Sequence, residues 1–300
     1  MPLKREKEIK LPDLRMKKGI KEMYMFEIGD MFFHHDSAVT LPSDSKREEE
    51  KSMEVIANMF KYMDENIDKR FVITGHTDTT GSPKYNFWLS VLRGNNVFFL
   101  LDGERDKWMA WCNSKHKVED YQHILRHYVN LWGWDCDPGE IDNILGPKTK
   151  EAIRKFQEKY NEEFQKNIKV DGIVGEETWG AFYDCYINEV ADIMGTDVNE
   201  IREKYQKNVL DKRATIPSTH PCGESYPIEE PNRDNYRSQT NRRVEVLFFN
   251  ENEAPKKCYN IPEKVSSDPT ASPFKDKPCN IEEECPIYKK GLYKLKKVKK

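Results

Sequence analysis

An aspartate and an arginine are spaced so that they could bind a small zwitterion. Asp78 lies in a loop between Gly75 and Gly81, and Arg93 lies one turn beyond Leu89 on the predicted helix that follows. A carboxylate only accepts hydrogen bonds and a guanidinium donates them in a planar fork, so the two suit a ligand with a free ammonium and a free carboxylate. We expect the pair to face one another across a pocket. The alternative is a surface ion pair, which contributes no more than about 1 kcal/mol.

Histidines and acidic residues on a later helix are the other candidates for chemistry. His123 and His127 have the spacing of two zinc ligands in a metalloprotease, but the residues between them, Ile-Leu-Arg, lack the glutamate of HExxH. A solvated or capping role is therefore predicted for them and for their neighbours His116 and Asp120. An acidic group without EF-hand spacing fits a turn before a helix: Asp135, Asp137 and Asp142. No serine or cysteine has an obvious base nearby, so we predict no catalytic residue, metal site or cofactor.

Alternating strands and helices would position the Asp78 loop. Residues 22–33 mix aromatic and aliphatic residues and predict a strand, and residues 70–75 predict a central strand. Apolar residues at three- and four-residue intervals predict helices at 46–66 and 84–101. A last strand is predicted at 243–249. The order favours an α+β fold with a right-handed parallel crossover.

A helical stretch separates the second helix from the last strand and contains an internal repeat. Residues 141–149, IDNILGPKT, are matched by residues 170–178, VDGIVGEET. In each copy an apolar residue and Asp form a turn, and Thr lies in the first turn of an amphipathic helix. A predicted helix at 118–132 completes a three-helix bundle. Trp179 could stack on a sugar, but its helical spacing is more typical of core packing.

Composition narrows the possible functions. A net charge of -3, with 34% charged residues, argues against nucleic acid as a partner, and no apolar run approaches the length of a transmembrane segment. Residues 1–20 are basic but no apolar segment follows them, so no secretory signal is predicted. Residues 251–300 are predicted to be a tail that becomes ordered on the domain or on a partner. Seven cysteines without CxxC spacing predict buried thiols.

Several segments resemble the OmpA-like, or OmpA/MotB, peptidoglycan-binding family. The resemblance rests on TGHTDTTG at 74–81 with Tyr85-Asn86, Leu89-Ser90 and Arg93 after it, on FHHDSAVTLP at 33–42, on CGESYPI at 222–228 and on NRRVEV at 241–246. It implies an α+β, OmpA-like βαβαββ sandwich interrupted by an all-α insertion. The implied divisions are an N-terminal arm at 1–20, OmpA-like parts at 21–102 and 213–250, an insertion at 103–212 and a tail at 251–300.

The resemblance also implies a ligand and the residues that bind it. In this family an Asp and an Arg hold the ammonium and carboxylate of diaminopimelate, roles that fall here on Asp78 and Arg93. The resemblance implies that Asn86 and Leu89 shape the pocket. It implies that the loop of Asp36, Ser37 and Ala38 supplies backbone contacts, and Arg243 is a weaker candidate.

The insertion resembles a second family, the three-helix peptidoglycan-binding domain attached to wall hydrolases. The segments VEDYQHILRHY, IDNILGPKTKEAIRKFQ and VDGIVGEETWGAF, within residues 118–184, carry this resemblance. They match at turn and core positions, so they imply a fold and no particular contact residue.

Together these features predict a non-catalytic peptidoglycan binder that anchors an attached assembly to the cell wall. OmpA-like domains with such an insertion and no signal resemble components of phage-tail-like contractile injection systems. This resemblance implies that protein partners bind the arm or the tail. It also implies that the protein stays in the cytoplasm until a particle carries it to a wall-facing location. The alternatives are a structural subunit with a vestigial pocket, an accessory of a wall hydrolase, and a basic tail that contacts anionic lipid or wall polymer.

Overall fold

The fold is α+β, with one mixed five-stranded sheet in the order β3-β2-β4-β1-β5. The structure is a computed structural model that describes residues 21–28, 33–43, 51–207, 214–250 and 293–297. The strands are β1 (Lys21–Ile28), β2 (Lys69–His76), β3 (Ala214–Gly223), β4 (Val244–Asn250) and β5 (Tyr293–Lys297). Strand β4 is antiparallel to β1 and β2, whereas β3 is parallel to β2 and β5 is parallel to β1.

Helices lie between β1 and β2 and, more densely, between β2 and β3. They are α1 (Ser52–Glu65), α2 (Pro83–Asp102), α3 (Arg105–Ser114), α4 (Val118–Trp132), α5 (Pro147–Phe164), α6 (Glu176–Met194) and the short α7 (Val198–Glu200), which continues into a π-helical turn at Ile201–Gln206. Within the described ranges, none of these helices combines the length and hydropathy that a membrane span requires.

Most of the helices and strands predicted from the sequence begin and end close to where the structure has them. The helix predicted at 118–132 has those ends, and the strands predicted at 70–75 and 243–249 correspond to β2 and β4. Residues 46–50, the first part of the helix predicted at 46–66, and residues 29–32 of the first predicted strand lie outside the described residues. The local sequence pattern did not indicate strand β3, which only the βαβαββ order of the resemblance implied, because its two prolines interrupt the pattern of a strand.

One hydrophobic core joins the sheet to the helices that follow α2. It includes Phe60 of α1, Phe71 of β2 and Val246 of β4, and continues to Trp108 of α3 and Trp179 of α6. The Trp108 and Trp179 rings meet edge to face with centroids 6.1 Å apart. Trp179 is fully buried, which confirms its predicted role in packing. The division into an interrupted domain and an insertion stays a prediction.

The described cysteines follow their prediction, and five residues of the predicted tail are described. The buried free thiols are Cys112, Cys136, Cys185 and Cys222, and the other three cysteines lie outside the described residues. Part of the predicted tail is ordered on the domain, because β5 pairs with β1 at the edge of the sheet.

The second copy of the repeat is a turn built around a buried glutamine of α5. Gln157 Oε1 accepts the backbone N–H groups of Asp171 at 3.0 Å and Gly172 at 2.9 Å. Its Nε2 donates to the carbonyl of Ile173 at 3.1 Å and to Thr178 Oγ1 at 2.9 Å. Gly172 has a φ of 72°, a left-handed conformation that glycine adopts at little cost. One side chain thus satisfies both sides of the turn before α6.

The first copy repeats the same contacts from α4. Gln122 Oε1 accepts the N–H groups of Asp142 at 3.2 Å and Asn143 at 3.0 Å, and Asn143 has a φ of 65°. Its Nε2 donates to the carbonyl of Ile144 at 3.2 Å and to Thr149 Oγ1 at 3.2 Å. The sequence repeat therefore reflects two copies of one glutamine-centred turn. The first copy attaches α5 to α4, and the second attaches α6 to α5.

Replacing the central glutamine should destabilise this part of the chain. We expect Gln157→Ala to lower the free energy of unfolding by about 2 kcal/mol, because the N–H groups of the turn lose their acceptor. Urea unfolding followed by far-UV circular dichroism measures the change. The exposed neighbour Glu158→Ala is the matched control and should have little effect. Equal stabilities for the two variants would show that the glutamine does not hold the turn.

Candidate functional site

A pocket of about 150 Å³ lies at the carboxyl end of β2. It is enclosed by the loop after β2, the first half of α2, residues 33–43 and the segment before β4. Predicted site residues that line it are Asp36, Asp78, Asn86, Leu89 and Arg93. Further lining residues are His35, Thr77, Thr80, Gly81, Tyr85 and Arg242. The spacing in the sequence thus places Asp78 and Arg93 at one pocket.

Arg93 is fully buried, and three backbone carbonyls bind its guanidinium. Nε donates to Ser37 at 3.0 Å, Nη1 to His76 at 3.1 Å and Nη2 to His34 at 3.3 Å. Burial, together with the nearby charge of Arg242, lowers the pKa of Arg93 to about 9. The side chain joins three segments of the chain through three of its five N–H groups.

The ion-pair partner of Asp78 is Arg242 and not Arg93. Arg242 Nη1 lies 2.9 Å from Asp78 Oδ2 and also donates to the carbonyl of Ser238 at 2.9 Å. Thr80 donates to the other carboxylate oxygen through its hydroxyl and through its N–H at 3.3 Å. Burial raises the pKa of Asp78, but hydrogen bonds from Thr80 and Arg242 outweigh this effect, so its pKa is lowered. Asp78 and Arg93 thus line the same pocket as predicted, whereas the alternative of a surface ion pair between them is corrected to a buried pair of Asp78 with Arg242.

A second carboxylate, Asp36, faces the pocket from the loop at 33–43. Its φ of 61° is unusual for a residue other than glycine. Tyr85 donates its hydroxyl to Asp36, and Lys115 Nζ lies 3.0 Å from the same carboxylate. Burial raises the pKa of Asp36, but these two hydrogen bonds outweigh it and the pKa is lowered. The pocket is therefore lined by two ionised carboxylates and two guanidiniums.

Three predicted site residues make no contribution to the pocket lining. Ser37 and Ala38 use backbone groups internally: the Ser37 carbonyl accepts from Arg93, and the Ala38 N–H donates to the Lys115 carbonyl at 3.3 Å. Arg243 is buried away from the pocket, with Nε 2.6 Å from Glu245 Oε1. Ser37, Ala38 and Arg243 therefore do not line the pocket, and the ligand contacts predicted for them stay predictions.

Arg242 and Asn86 show what the sequence could and could not indicate. In NRRVEV two arginines are adjacent, and only Arg243 was named from the sequence, as a weaker candidate. The structure places Arg242 in the pocket lining, and Arg243 does not line the pocket. Asn86 lines the pocket as predicted and donates its amide to Glu224.

The candidate zinc-protease histidines are buried structural residues. His123 Nε2 and His127 Nδ1 lie 3.4 and 3.1 Å from Ser43 Oγ, and His127 Nε2 lies 2.9 Å from Glu189 Oε2. The prediction of a solvated or capping role is wrong for both, because they pack between α4, α6 and the loop at 33–43. Asp120 does cap α4, accepting the Lys117 N–H at 2.6 Å. Among the described residues, no group of three metal-ligating side chains is assembled.

The acidic group before α5 forms a turn, as predicted. Asp142 accepts the N–H of Ile144 at 2.8 Å and Asp137 accepts that of Gly139 at 3.0 Å. Asp135 pairs with Lys155 at 2.5 Å. These carboxylates are used for local structure.

Residues 114–182 match a protein family described as "Putative peptidoglycan binding domain". The matched range contains α4, α5 and the first part of α6, with both copies of the glutamine-centred turn. No curated protein and no solved structure matches the chain. The family match supports peptidoglycan as the binding partner, and it lies outside the sheet.

Removing Arg242 should change the ionisation of Asp78. We expect Arg242→Met to raise the pKa of Asp78, because burial then acts against fewer hydrogen bonds. Carboxyl-carbon NMR titration measures it. A depressed pKa contributes stability that is present above the unfolded value and is lost as pH falls through the folded value, so the variant should lose this acid-sensitive contribution.

The control for this titration is Arg237→Met, an exposed arginine of the same loop. It should leave the pKa of Asp78 close to that of the unchanged protein. An Asp78 titration that Arg242→Met does not shift would contradict the assigned ion pair.

Proposed function

We propose that the chain binds peptidoglycan without cleaving it, and that the pocket at the end of β2 holds the zwitterionic end of a diaminopimelate-containing stem peptide. The observation that carries this proposal is the lining of one small pocket by Asp36, Asp78, Arg93 and Arg242. A family match to a peptidoglycan-binding domain on the same chain supports the choice of ligand.

The charges of the pocket complement those of the ligand. Diaminopimelate carries an ammonium and a carboxylate on one carbon, so its carboxylate can accept from Arg93 and Arg242 while its ammonium donates to Asp78 or Asp36. Arg242 Nε is buried without a hydrogen-bond partner, so a ligand carboxylate near it would satisfy a costly group. Lysine at the same place in a wall peptide lacks that carboxylate. The pocket should therefore prefer diaminopimelate.

The ionisation of the carboxylates supports binding rather than catalysis. The pKa values of Asp36 and Asp78 are both lowered by hydrogen bonds from their neighbours. A general acid or base works best with a pKa near the working pH, whereas a carboxylate that stays ionised is suited to holding a cation. We propose that the protein is not an enzyme.

The order of the elements supports an OmpA-like fold for the part of the chain around the pocket. β1, α1, β2 and α2 precede the helical stretch, and β3 and β4 follow it, which is the interrupted βαβαββ order that the resemblance implies. We further propose a wall-facing location in which residues 1–20 or the tail attach the chain to an assembly such as a contractile injection particle.

A structural subunit is the second candidate function. It is favoured by one observation: Asp78 and Arg242 bind each other at 2.9 Å, and Arg93 binds three carbonyls, so the charges of the pocket are already used within the protein. Binding a ligand would then require these bonds to be shared or exchanged. A direct binding measurement separates the two candidates.

Calorimetric titration of the full chain with a soluble diaminopimelate-containing tripeptide tests the proposal. We expect a dissociation constant between about 1 μM and 1 mM, the range that a few charge-assisted hydrogen bonds support. Asp78→Asn should weaken binding about tenfold or more, and so should a tripeptide with lysine in place of diaminopimelate, since each loses a charged contact.

Asp106→Asn is the control, because the side chain of Asp106 on α3 is 94% exposed and far from the pocket lining. Its affinity should equal that of the unchanged protein. Absence of tripeptide binding would favour the structural subunit, and equal binding by Asp78→Asn would place the bound peptide outside the pocket.

A further inference from the structure

We infer that the helical module positions one wall of the pocket, so that it sets the affinity of the pocket for a single ligand molecule. The helical module is defined here as residues 114–182, the matched range, and the wall loop as residues 33–43. This inference rests on the proposed function for the ligand. It goes beyond avidity, in which a second module only raises the local concentration of wall polymer.

The wall loop has no regular secondary structure to hold it in place. It contributes His35 and Asp36 to the pocket, and Asp36 adopts a left-handed backbone conformation with a φ of 61°. This conformation is uncommon for residues other than glycine, although Asp adopts it more readily than most. The position of the Asp36 carboxylate therefore depends on the groups packed against the loop.

On one side those groups belong to α2. Arg93 donates to the carbonyls of His34 and Ser37, and Tyr85 donates to Asp36. These contacts come from residues that themselves line the pocket.

On the other side the groups belong to the helical module, at the junction of α3 and α4. The Lys115 carbonyl accepts the Ala38 N–H at 3.3 Å, and Lys115 Nζ lies 3.0 Å from Asp36 Oδ1. Lys117 Nζ donates to the His35 carbonyl at 3.3 Å. Both pocket-facing residues of the loop are thus contacted by lysines of the module.

A buried carboxyl group joins the module to the loop by hydrogen bonds. Asp120 is fully buried in the first turn of α4, where its Oδ2 accepts from the Lys117 N–H at 2.6 Å and from Ser37 Oγ at 2.8 Å. The same oxygen therefore caps the helix and holds the loop, so moving the start of α4 away from Ser37 removes one of the two hydrogen bonds that this buried group accepts. Further along the loop, the Tyr186 hydroxyl donates to the Thr40 carbonyl at 2.9 Å, from α6 beyond the module.

Two models make different predictions for a ligand that can occupy only one site. If the module were a separate tether, changes at its junction with the loop would leave the affinity for a monovalent peptide unchanged. If it positions Asp36 opposite Asp78, the same changes lower that affinity, although neither Lys115 nor Asp120 lines the pocket.

The experiment uses the full chain and two readouts. Calorimetry measures the dissociation constant for the soluble diaminopimelate tripeptide, and hydrogen exchange measures the protection of the Ser37 and Ala38 amides without ligand. We expect Lys115→Met to weaken binding at least threefold and to accelerate exchange of both amides. Asp120→Asn should act in the same direction. Because Asp120 is fully buried and its replacement could impair folding, Lys115→Met, at a partly exposed site, carries the test independently.

Lys150→Met is the matched control, an exposed lysine elsewhere on the same module. It should alter neither readout. Unchanged affinity in Lys115→Met, with or without faster exchange, would overturn the inference. If the unchanged protein does not bind the tripeptide at all, the proposed function fails; faster exchange in Lys115→Met would then still support positioning of the loop, and unchanged exchange would overturn that as well.

Discussion

The burial of Arg93 is the constraint on which the rest of the site depends. A guanidinium out of contact with solvent must have its N–H groups satisfied, and here carbonyls of His34, Ser37 and His76 satisfy three of them. Those carbonyls belong to the wall loop and to the end of β2, so one side chain of α2 fixes the relative positions of three segments. The pocket is the space that remains between these three segments. Its other buried charged side chains also need partners, and Asp78 and Arg242 provide them for each other.

The helical module packs directly against the segments that form the pocket. A single core runs from the sheet to α6, and Asp120 and Lys115 extend the polar contacts of the wall loop into the module. Within the module, Gln122 and Gln157 hold two equivalent turns with the same set of hydrogen bonds. The part of the chain that matches a peptidoglycan-binding family therefore directly contacts the part that forms the charged pocket.

The sequence predicted local features well and long-range pairings poorly. Helical periodicity located α4 to its ends, the repeat predicted two equivalent turns, and the spacing of Asp78 and Arg93 predicted a shared pocket. The partner of Asp78 could not be predicted, because Arg242 lies 164 positions away and nothing local distinguishes it from Arg243. Buried His123 and His127 were taken for solvated residues, since their partners Ser43 and Glu189 also come from distant segments. The local pattern did not indicate β3 for a different reason. Two prolines in this strand interrupt the pattern by which strands are identified.

The most direct test of the central claim is to find where a stem peptide binds on the intact chain. Side-chain and backbone NMR signals would be followed during titration with the soluble diaminopimelate tripeptide. The account predicts that the largest shifts fall on the Arg93 and Arg242 guanidinium N–H groups, the Thr80 amide and the Asn86 side-chain amide, which surround the pocket. Shifts confined to α5 and α6, with the Arg93 and Arg242 signals unmoved, would contradict it and would place stem-peptide recognition in the helical module alone.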